Sequence, residues 1–368
     1  MKKILVLGCT GSIGSQTLDL ARKMPDRFKI VGLSVGCDKE KLGALCKEFG
    51  CPGTCFSTDG NGGLKNLLAT VDFDMAVNGV AGSAGLESSI AVLEAGGDLA
   101  LANKESVVMA WPIIKNIAEK SGSKIIPVDS EHSAVFNLIS QVKKENLLNI
   151  IITASGGPFR TYTREQLESV TVEMALNHPT WKMGPKITID SASLANKGLE
   201  VIEACRLFDT APANVKVLVH PQSLVHSLVQ TKDGMIYAQI SNPDMRHPIF
   251  GALTWPENTE SPLPLFDLAG HELTFSPPRT DDFPMLNLAY RCAEKNGGYT
   301  IAFNAANEIA VQGFFDRKIK FTQIPVLVDS VLSLDWTAEP KAVADVYEID
   351  KSARAAAKNG LESIGDGK

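Results

Sequence analysis

The chain has 368 residues, enough for two or three domains, and 44% hydrophobic against 21% charged residues places it among ordinary globular proteins. Its 36 Lys and Arg against 42 Asp and Glu leave a net charge of −6, which argues against a nucleic-acid partner, since phosphate-backbone binding is driven by clustered cations. Nowhere do about 18 apolar residues run together, so no membrane span is expected.

Lys2–Leu7 is β-branched and apolar, the signature of a buried strand. Two lysines precede its apolar core, but Ile4–Leu7 stops at Gly8, too short for a secretory signal, so a cytoplasmic protein is expected. Next come a glycine-rich turn, a helix over Gln16–Lys23, a strand over Lys29–Val35 and a helix over Lys39–Phe49. Further strands are expected at Phe73–Asn78, Asp98–Asn103 and Lys124–Val128, with helices at Leu86–Ala95 and Val107–Lys120. Alternation of this kind predicts a doubly wound parallel sheet, Rossmann-like, over residues 1–129.

The pattern changes after Asp129. An apolar run, Leu148–Ala154, ends in Ser155-Gly156-Gly157-Pro158. The polar stretch that follows closes on His178, Trp181 and Gly184-Pro185, so residues 155–185 are a lid candidate or a plain surface loop. Lys186–Asp190, Val215–Val219, Leu224–Gln230 and Met235–Ile240 read as strands, the last two joined by an Asp233-Gly234 hairpin signal. An amphipathic helix is expected over Leu194–Phe208. Residues 130–254 therefore read as a mixed α/β catalytic domain. Asn242–Pro278 holds seven prolines and reads as a linker, taken as 255–283 between domains. Residues 284–368 read as a small helical domain with a frayed tail: Met285–Glu294, Ile301–Phe315, Ile324–Leu334 and Ala342–Lys358.

The seven cysteines are odd in number and include no CxxC pair. Cys37, Cys46, Cys51 and Cys55 cluster loosely at a spacing that fits no metal pattern, so reduced thiols are expected.

Three constellations carry chemistry. The first strand runs into Gly8-Cys9-Thr10-Gly11-Ser12-Ile13-Gly14. Such a turn lets backbone approach a pyrophosphate, and the helix after it offers unpaired N–H groups. The second strand ends in Gly36-Cys37-Asp38-Lys39. Asp38 suits the ribose 2′-hydroxyl of NADH, while Lys39 and Lys41 could meet the 2′-phosphate of NADPH, so the cofactor stays open at this point. Asp129 and Glu131 lie two apart, on the same side of an extended chain, and could share a hard cation or form a solvated strand end. Ser191-Ala192-Ser193 precedes Asn196, Lys197 and Glu200. Hydroxyls, an amide and a lysine at a helix start suit a phosphate, and Glu200, at i+4 from Asn196, could add a metal oxygen. The bland alternative is an N-cap with a surface Lys–Glu pair. Asn103-Lys104-Glu105 follows a strand at the edge where nucleotide folds place ligands, and His178 sits in the lid candidate.

Together GCTGSIGSQTLDL, LANKES, PVDSEH, SGGPF, HPTWKMG, SASLANKGLEVIEA and HPQSLVHS resemble 1-deoxy-D-xylulose 5-phosphate reductoisomerases, enzymes of the non-mevalonate route to isoprenoids. The resemblance implies metal ligands Asp129, Glu131 and Glu200, and a divalent cation, Mg²⁺, Mn²⁺ or Co²⁺. It implies substrate contacts from Lys104, Ser130, Glu131, Ser155, His178, Ser191, Asn196, Lys197 and Glu200, with Lys104, Glu131 and Glu200 catalytic. It implies NADPH contacts from Thr10, Gly11, Ser12, Ile13, Gly36, Asn103, Glu105 and Gly184, and lid positions at Trp181 and Met183. It further implies a small sugar-phosphate substrate and a homodimer. One departure stands out: the family commonly has a basic residue then Asn after the glycine at Gly36, where this chain has Cys37-Asp38, so NADH stays possible. Two other readings compete: a metal-independent dehydrogenase with a nucleophilic cysteine such as Cys205, and a nucleotide sensor without chemistry.

Overall fold

Six parallel strands form the first sheet: β1 (Lys2–Leu7), β2 (Phe28–Val35), β3 (Gly53–Cys55), β4 (Met75–Asn78), β5 (Asp98–Leu101) and β6 (Ile125–Pro127), in the order β3-β2-β1-β4-β5-β6. Reversal of strand order between β1 and β4 is the switch point at which open α/β sheets take ligands beyond their carboxyl ends. Ile4–Leu7 of β1 is wholly buried, as expected of a central strand covered on both faces. The structure is a computed structural model and describes residues 1–181 and 183–365. Lys182 of the expected lid and the last three residues of the expected tail lie outside the described residues.

The second sheet is mixed. Strands β7 (Leu147–Ala154), β8 (Val215–Val219), β9 (Val225–Thr231) and β10 (Ile236–Ile240) take the order β10-β9-β7-β8, with β7 and β8 parallel and the other pairs antiparallel. Helices Met285–Lys295, Tyr299–Phe315, Ile324–Leu332 and Val343–Gly365 form the helical region expected from residue 284 onward. Helix Ala195–Leu207 packs on Met285–Lys295 so closely that a Cβ on Gly198 would lie 2.7 Å from that of Ala289.

Two compact units emerge, and neither is continuous in sequence. One holds Met1–Ser106, Trp111–Phe136 and Asp244–Ala269; the other holds Val107–Ala110, Asn137–Pro243 and Gly270–Lys368. Among the described residues, no helix is long and apolar enough to cross a membrane.

Three expectations need correction. Lys186–Asp190 is not a strand but part of helix Pro185–Ala192. Its β-branched residues suggested extension, yet Pro185 at the first helical position starts a helix, and Lys186 and Asp190 pair across one turn at 2.9 Å. Glu131 does not continue an extended strand from Asp129, because helix Ser130–Val142 begins between them. The proline-rich stretch Asn242–Pro278 is not all linker: it holds helix Arg246–Thr254, with Pro248 in the first turn, where its missing N–H costs nothing. That helix buries Ile249, Phe250 and Leu253 in the core of the first unit. There Phe250 meets Phe28 edge to face, with ring centroids 6.5 Å apart.

Candidate active site

In the first unit, the glycine loop leaves β1 and enters helix Ser12–Lys23. Backbone N–H groups of Gly8 and Cys9 both donate to the Ser34 carbonyl, at 3.0 and 2.9 Å, which fastens the loop beside the end of β2. Gly14 has no alternative: a Cβ there would lie 2.3 Å from the Gly8 carbonyl oxygen. Gly11 is the N-cap and offers no side-chain cap, and the first turn carries no acidic residue. A helix start without a side-chain cap or a carboxylate fits an anion such as a pyrophosphate. Thr10, Gly11, Ser12 and Ile13 lie on this loop, with Gly36 one residue past β2.

Asn103 and Glu105 are buried just past β5. The Asn103 side chain caps helix Lys104–Ser121 by accepting from Ser106 N–H at 3.0 Å, and its amide nitrogen donates to the Val80 and Gly82 carbonyls, both at 2.8 Å. Lys104, in the first turn of that helix, reaches Asp129 at 2.5 Å, with both side chains nearly buried. Burial alone would raise the Asp129 carboxyl; the charge of Lys104 and the neighbouring His132 overcome it and hold the group well below the usual carboxylate range. Ser130 donates to Glu131 at 2.5 Å, and Glu131 N–H lies 3.3 Å from an Asp129 oxygen. The first unit thus gathers a cation, two carboxylates and a hydroxyl within four consecutive hydrogen-bonded groups of one sheet edge.

In the second unit, the Ser155-Gly156-Gly157 turn ends β7 beside Ser191. A Cβ on Gly157 would lie 2.9 Å from the Ser191 carbonyl oxygen, and Gly157 has φ +67°. His178 joins the two serines: its Nε2 is 3.0 Å from Ser155 Oγ and 3.2 Å from Ser191 Oγ. Its Nδ1 accepts from the backbone N–H groups of Thr180, at 3.1 Å, and Trp181, at 2.9 Å. Two donors on Nδ1 leave the ring proton on Nε2, where it can be given to the serine oxygens. Burial also lowers the imidazole pKa, so the neutral ring is favoured.

Ser191 closes helix Pro185–Ala192, and helix Ala195–Leu207 starts after Leu194, which takes a left-handed φ of +62°. Ser191 therefore ends one helix, rather than starting the next as the sequence suggested. On the new helix, Asn196 and Lys197 donate to the two oxygens of Glu200. Glu200 is 1% exposed and Lys197 4% exposed, so this is no surface pair. A buried carboxylate balanced by one ammonium and one amide is a hard-oxygen donor with its charge already compensated. Gly184 caps helix Pro185–Ala192, and Trp181 and Met183 lie just before it, with the Trp181 ring 6.5 Å from that of His226.

His132 escaped the sequence reading. It is fully buried, with Nδ1 3.4 Å from an Asp129 oxygen. Its placement three residues after Asp129, at the start of a helix, was the available signal. Cys205 does not suit a nucleophile, because burial pushes its thiol up to about 12. The metal-independent dehydrogenase reading therefore loses its residue.

Three family models match the chain. The 1-deoxy-D-xylulose 5-phosphate reductoisomerase model covers residues 4–59 and 52–111, its C-terminal domain model covers 125–208, and a DXP reductoisomerase C-terminal domain model covers 240–356. The 1-deoxy-D-xylulose 5-phosphate reductoisomerase of Treponema denticola is 50% identical, over 97% of this chain and 96% of its own length. That of Treponema pallidum is 46% identical, over 97% of both chains. Among solved structures, a DOX-P reductoisomerase in complex with NADPH, fosmidomycin and magnesium is 36% identical, with a TM-score of 0.90 over 98% of both chains. The Zymomonas mobilis enzyme in complex with NADPH is also 36% identical, with a TM-score of 0.89 over 98% of this chain and 99% of its own. With sequence, family models and fold in agreement along nearly its whole length, the chain belongs to the 1-deoxy-D-xylulose 5-phosphate reductoisomerase family.

Proposed function

We propose that this chain converts 1-deoxy-D-xylulose 5-phosphate to 2-C-methyl-D-erythritol 4-phosphate, by metal-assisted skeletal rearrangement and NADPH-dependent reduction. The observation that carries the reading is Glu200, a buried carboxylate held by Asn196 and Lys197 next to a serine-rich helix junction. NADPH and magnesium in the solved relatives support the cofactors.

In this reading Asp129, Glu131 and Glu200 would hold one divalent cation, Mg²⁺, Mn²⁺ or Co²⁺. All three offer carboxylate oxygens, the donor type that hard cations prefer. When bound, the cation supplies Lewis-acid stabilisation of developing oxygen charge, and the dinucleotide supplies the hydride. Ser155, Ser191, Asn196 and Lys197 grip the substrate phosphate, and His178 gives its Nε2 proton to the serine cluster. Lys104, Ser130 and Glu131 orient the substrate's oxygens. Binding energy from the phosphate end is spent on closing residues 155–185, with Trp181 and Met183, over the reacting carbons, which excludes water. Thr10, Gly11, Ser12 and Ile13 carry the pyrophosphate; Gly36, Asn103, Glu105 and Gly184 line the rest of the dinucleotide. Residues 1–129 would thus serve chiefly the cofactor while lending Lys104 and Asp129 to the substrate and metal, 130–254 would carry the remaining chemistry together with Gly184, and 284–368 would be a helical support beyond the 255–283 stretch.

A homodimer is supported by β10, an edge strand that leaves Ile236 and Tyr237 exposed beside unpaired backbone groups. Seven unpaired thiols support a reducing, cytoplasmic setting. The test is spectrophotometric: NADPH oxidation with deoxyxylulose phosphate, with and without Mg²⁺. Oxidation that needs both sugar phosphate and metal is expected; none under those conditions would overturn the reading and favour a nucleotide sensor.

A further inference from the structure

The carboxylate at position 38 stands where a dinucleotide fold decides between its two cofactors. Asp38 follows β2 by three residues and is the N-cap of helix Lys39–Phe49, accepting from Lys41 N–H at 3.0 Å through Oδ1. The end of β2 is also tied to the glycine loop, since Ser34 O receives the N–H groups of both Gly8 and Cys9. A nucleotide whose pyrophosphate sits on that loop therefore directs its adenosine ribose toward residues 36–41, all of which are exposed. A carboxylate there welcomes a ribose 2′-hydroxyl and repels a 2′-phosphate. The cap fixes the Asp38 side chain in place at the start of the helix. Lys39 and Lys41 flank it with opposite charge. Lys41 lies near enough to the glycine loop to oppose the rise of the Cys9 thiol, which burial pushes up to about 12.

We propose that Asp38 is the residue setting this chain's cofactor selectivity, and that it relaxes the preference for the 2′-phosphorylated dinucleotide so that NADH is also accepted, with Lys39 and Lys41 supplying what 2′-phosphate affinity remains. The inference rests on the cofactor reading proposed above and deepens it.

The test uses the full chain and direct binding, read by calorimetry with 2′,5′-ADP, 5′-ADP, NADP⁺ and NAD⁺. Asp38→Asn removes the charge but keeps an oxygen for the Lys41 N–H, so the cap survives. The expected wild-type affinities for 2′,5′-ADP and 5′-ADP lie within about tenfold of each other. Asp38→Asn is expected to tighten 2′,5′-ADP and NADP⁺ by about tenfold, as one removed repulsive charge near the surface allows, and to leave 5′-ADP unchanged. Lys39→Ala with Lys41→Ala should weaken 2′,5′-ADP alone. If wild type already favours 2′,5′-ADP by a hundredfold or more, or Asp38→Asn leaves the ratio unchanged, Asp38 does not set selectivity. If no nucleotide binds, the cofactor reading itself fails, and the inference fails with it.

Discussion

Arg206 supplies a hydrogen-bond donor that the helix containing Val108 has lost. Its Nη1 lies 2.7 Å from the Val108 carbonyl oxygen and 2.8 Å from that of Val107, while Nη2 reaches Thr300 Oγ1 at 2.7 Å. In an uninterrupted helix the Val108 carbonyl would accept from residue 112, but residue 112 is proline and has no N–H. The backbone at Ala110, three residues beyond Val107, also leaves the helical region, with φ −139° and ψ 24°. One guanidinium satisfies both carbonyls. Burial brings its pKa down to about 10, still well above neutral, so it stays charged at working pH.

Arg206→Met should therefore destabilise the protein by about 2–4 kcal/mol, because two carbonyls lose their donor. Arg206→Lys should recover little of this, since an ammonium lacks the planar fork. Adding Pro112→Ala restores an N–H opposite Val108 and should reduce the loss. A double-mutant cycle followed by denaturant unfolding measures that coupling. Strict additivity would separate the arginine from the kink.

Glu200→Gln should lower turnover by about 100-fold or more at ordinary Mg²⁺ concentrations, with partial recovery as Mg²⁺ rises, because one anionic oxygen leaves the proposed metal shell. The ion pair between Lys197 and Glu200 would also be lost. A metal titration of kcat and KM tests this. A near-normal kcat with unaltered metal dependence would remove Glu200 from that shell.

Much of this architecture was legible in sequence. The β/α alternation of residues 2–128 led to a parallel sheet, in which β1 proves to be interior, and three of the C-terminal helices lie within about two residues of their expected ranges, whereas the last runs on to Gly365 where a frayed tail was expected after Lys358. What failed did so for local reasons. Helix Phe56–Thr70 carries three glycines, of which Gly60 is non-helical, so its periodicity is weak. Ile187, Thr188 and Ile189 have strand propensity, which Pro185 and packing override. The candidate site was readable as motifs, but not as geometry. That His178 bridges Ser155 and Ser191, 23 and 13 residues away, depends on a turn at Gly157 that no periodicity announces.

The same histidine makes stability depend on pH. Folding lowers its pKa, because burial favours the neutral ring. The unfolded chain then binds the proton more readily than the native one. The contribution is present in full above the unfolded value of about 6.5 and is lost as pH falls through the lower folded value. Wild type should thus lose more Tm between pH 8 and pH 5 than His178→Gln does. Equal losses would mean that His178 titrates alike in both states.

Gly157→Ala tests how tightly the two serines are registered. The φ of +67° costs an alanine about 1 kcal/mol, and its methyl would stand 2.9 Å from the Ser191 carbonyl oxygen and 3.0 Å from the Ala192 Cα. Both contacts are backbone, so relief requires the Ser155 turn and the helix end at Ser191 to part. Displacing the proposed phosphate contacts should raise KM for the sugar phosphate by about tenfold or more while changing dinucleotide affinity far less, because all the proposed dinucleotide contacts except Gly184 belong to the other compact unit. Steady-state kinetics paired with a dinucleotide titration distinguishes this from general unfolding, which would weaken both. An unchanged KM would show that Ser155 and Ser191 need not be held together for the phosphate to bind.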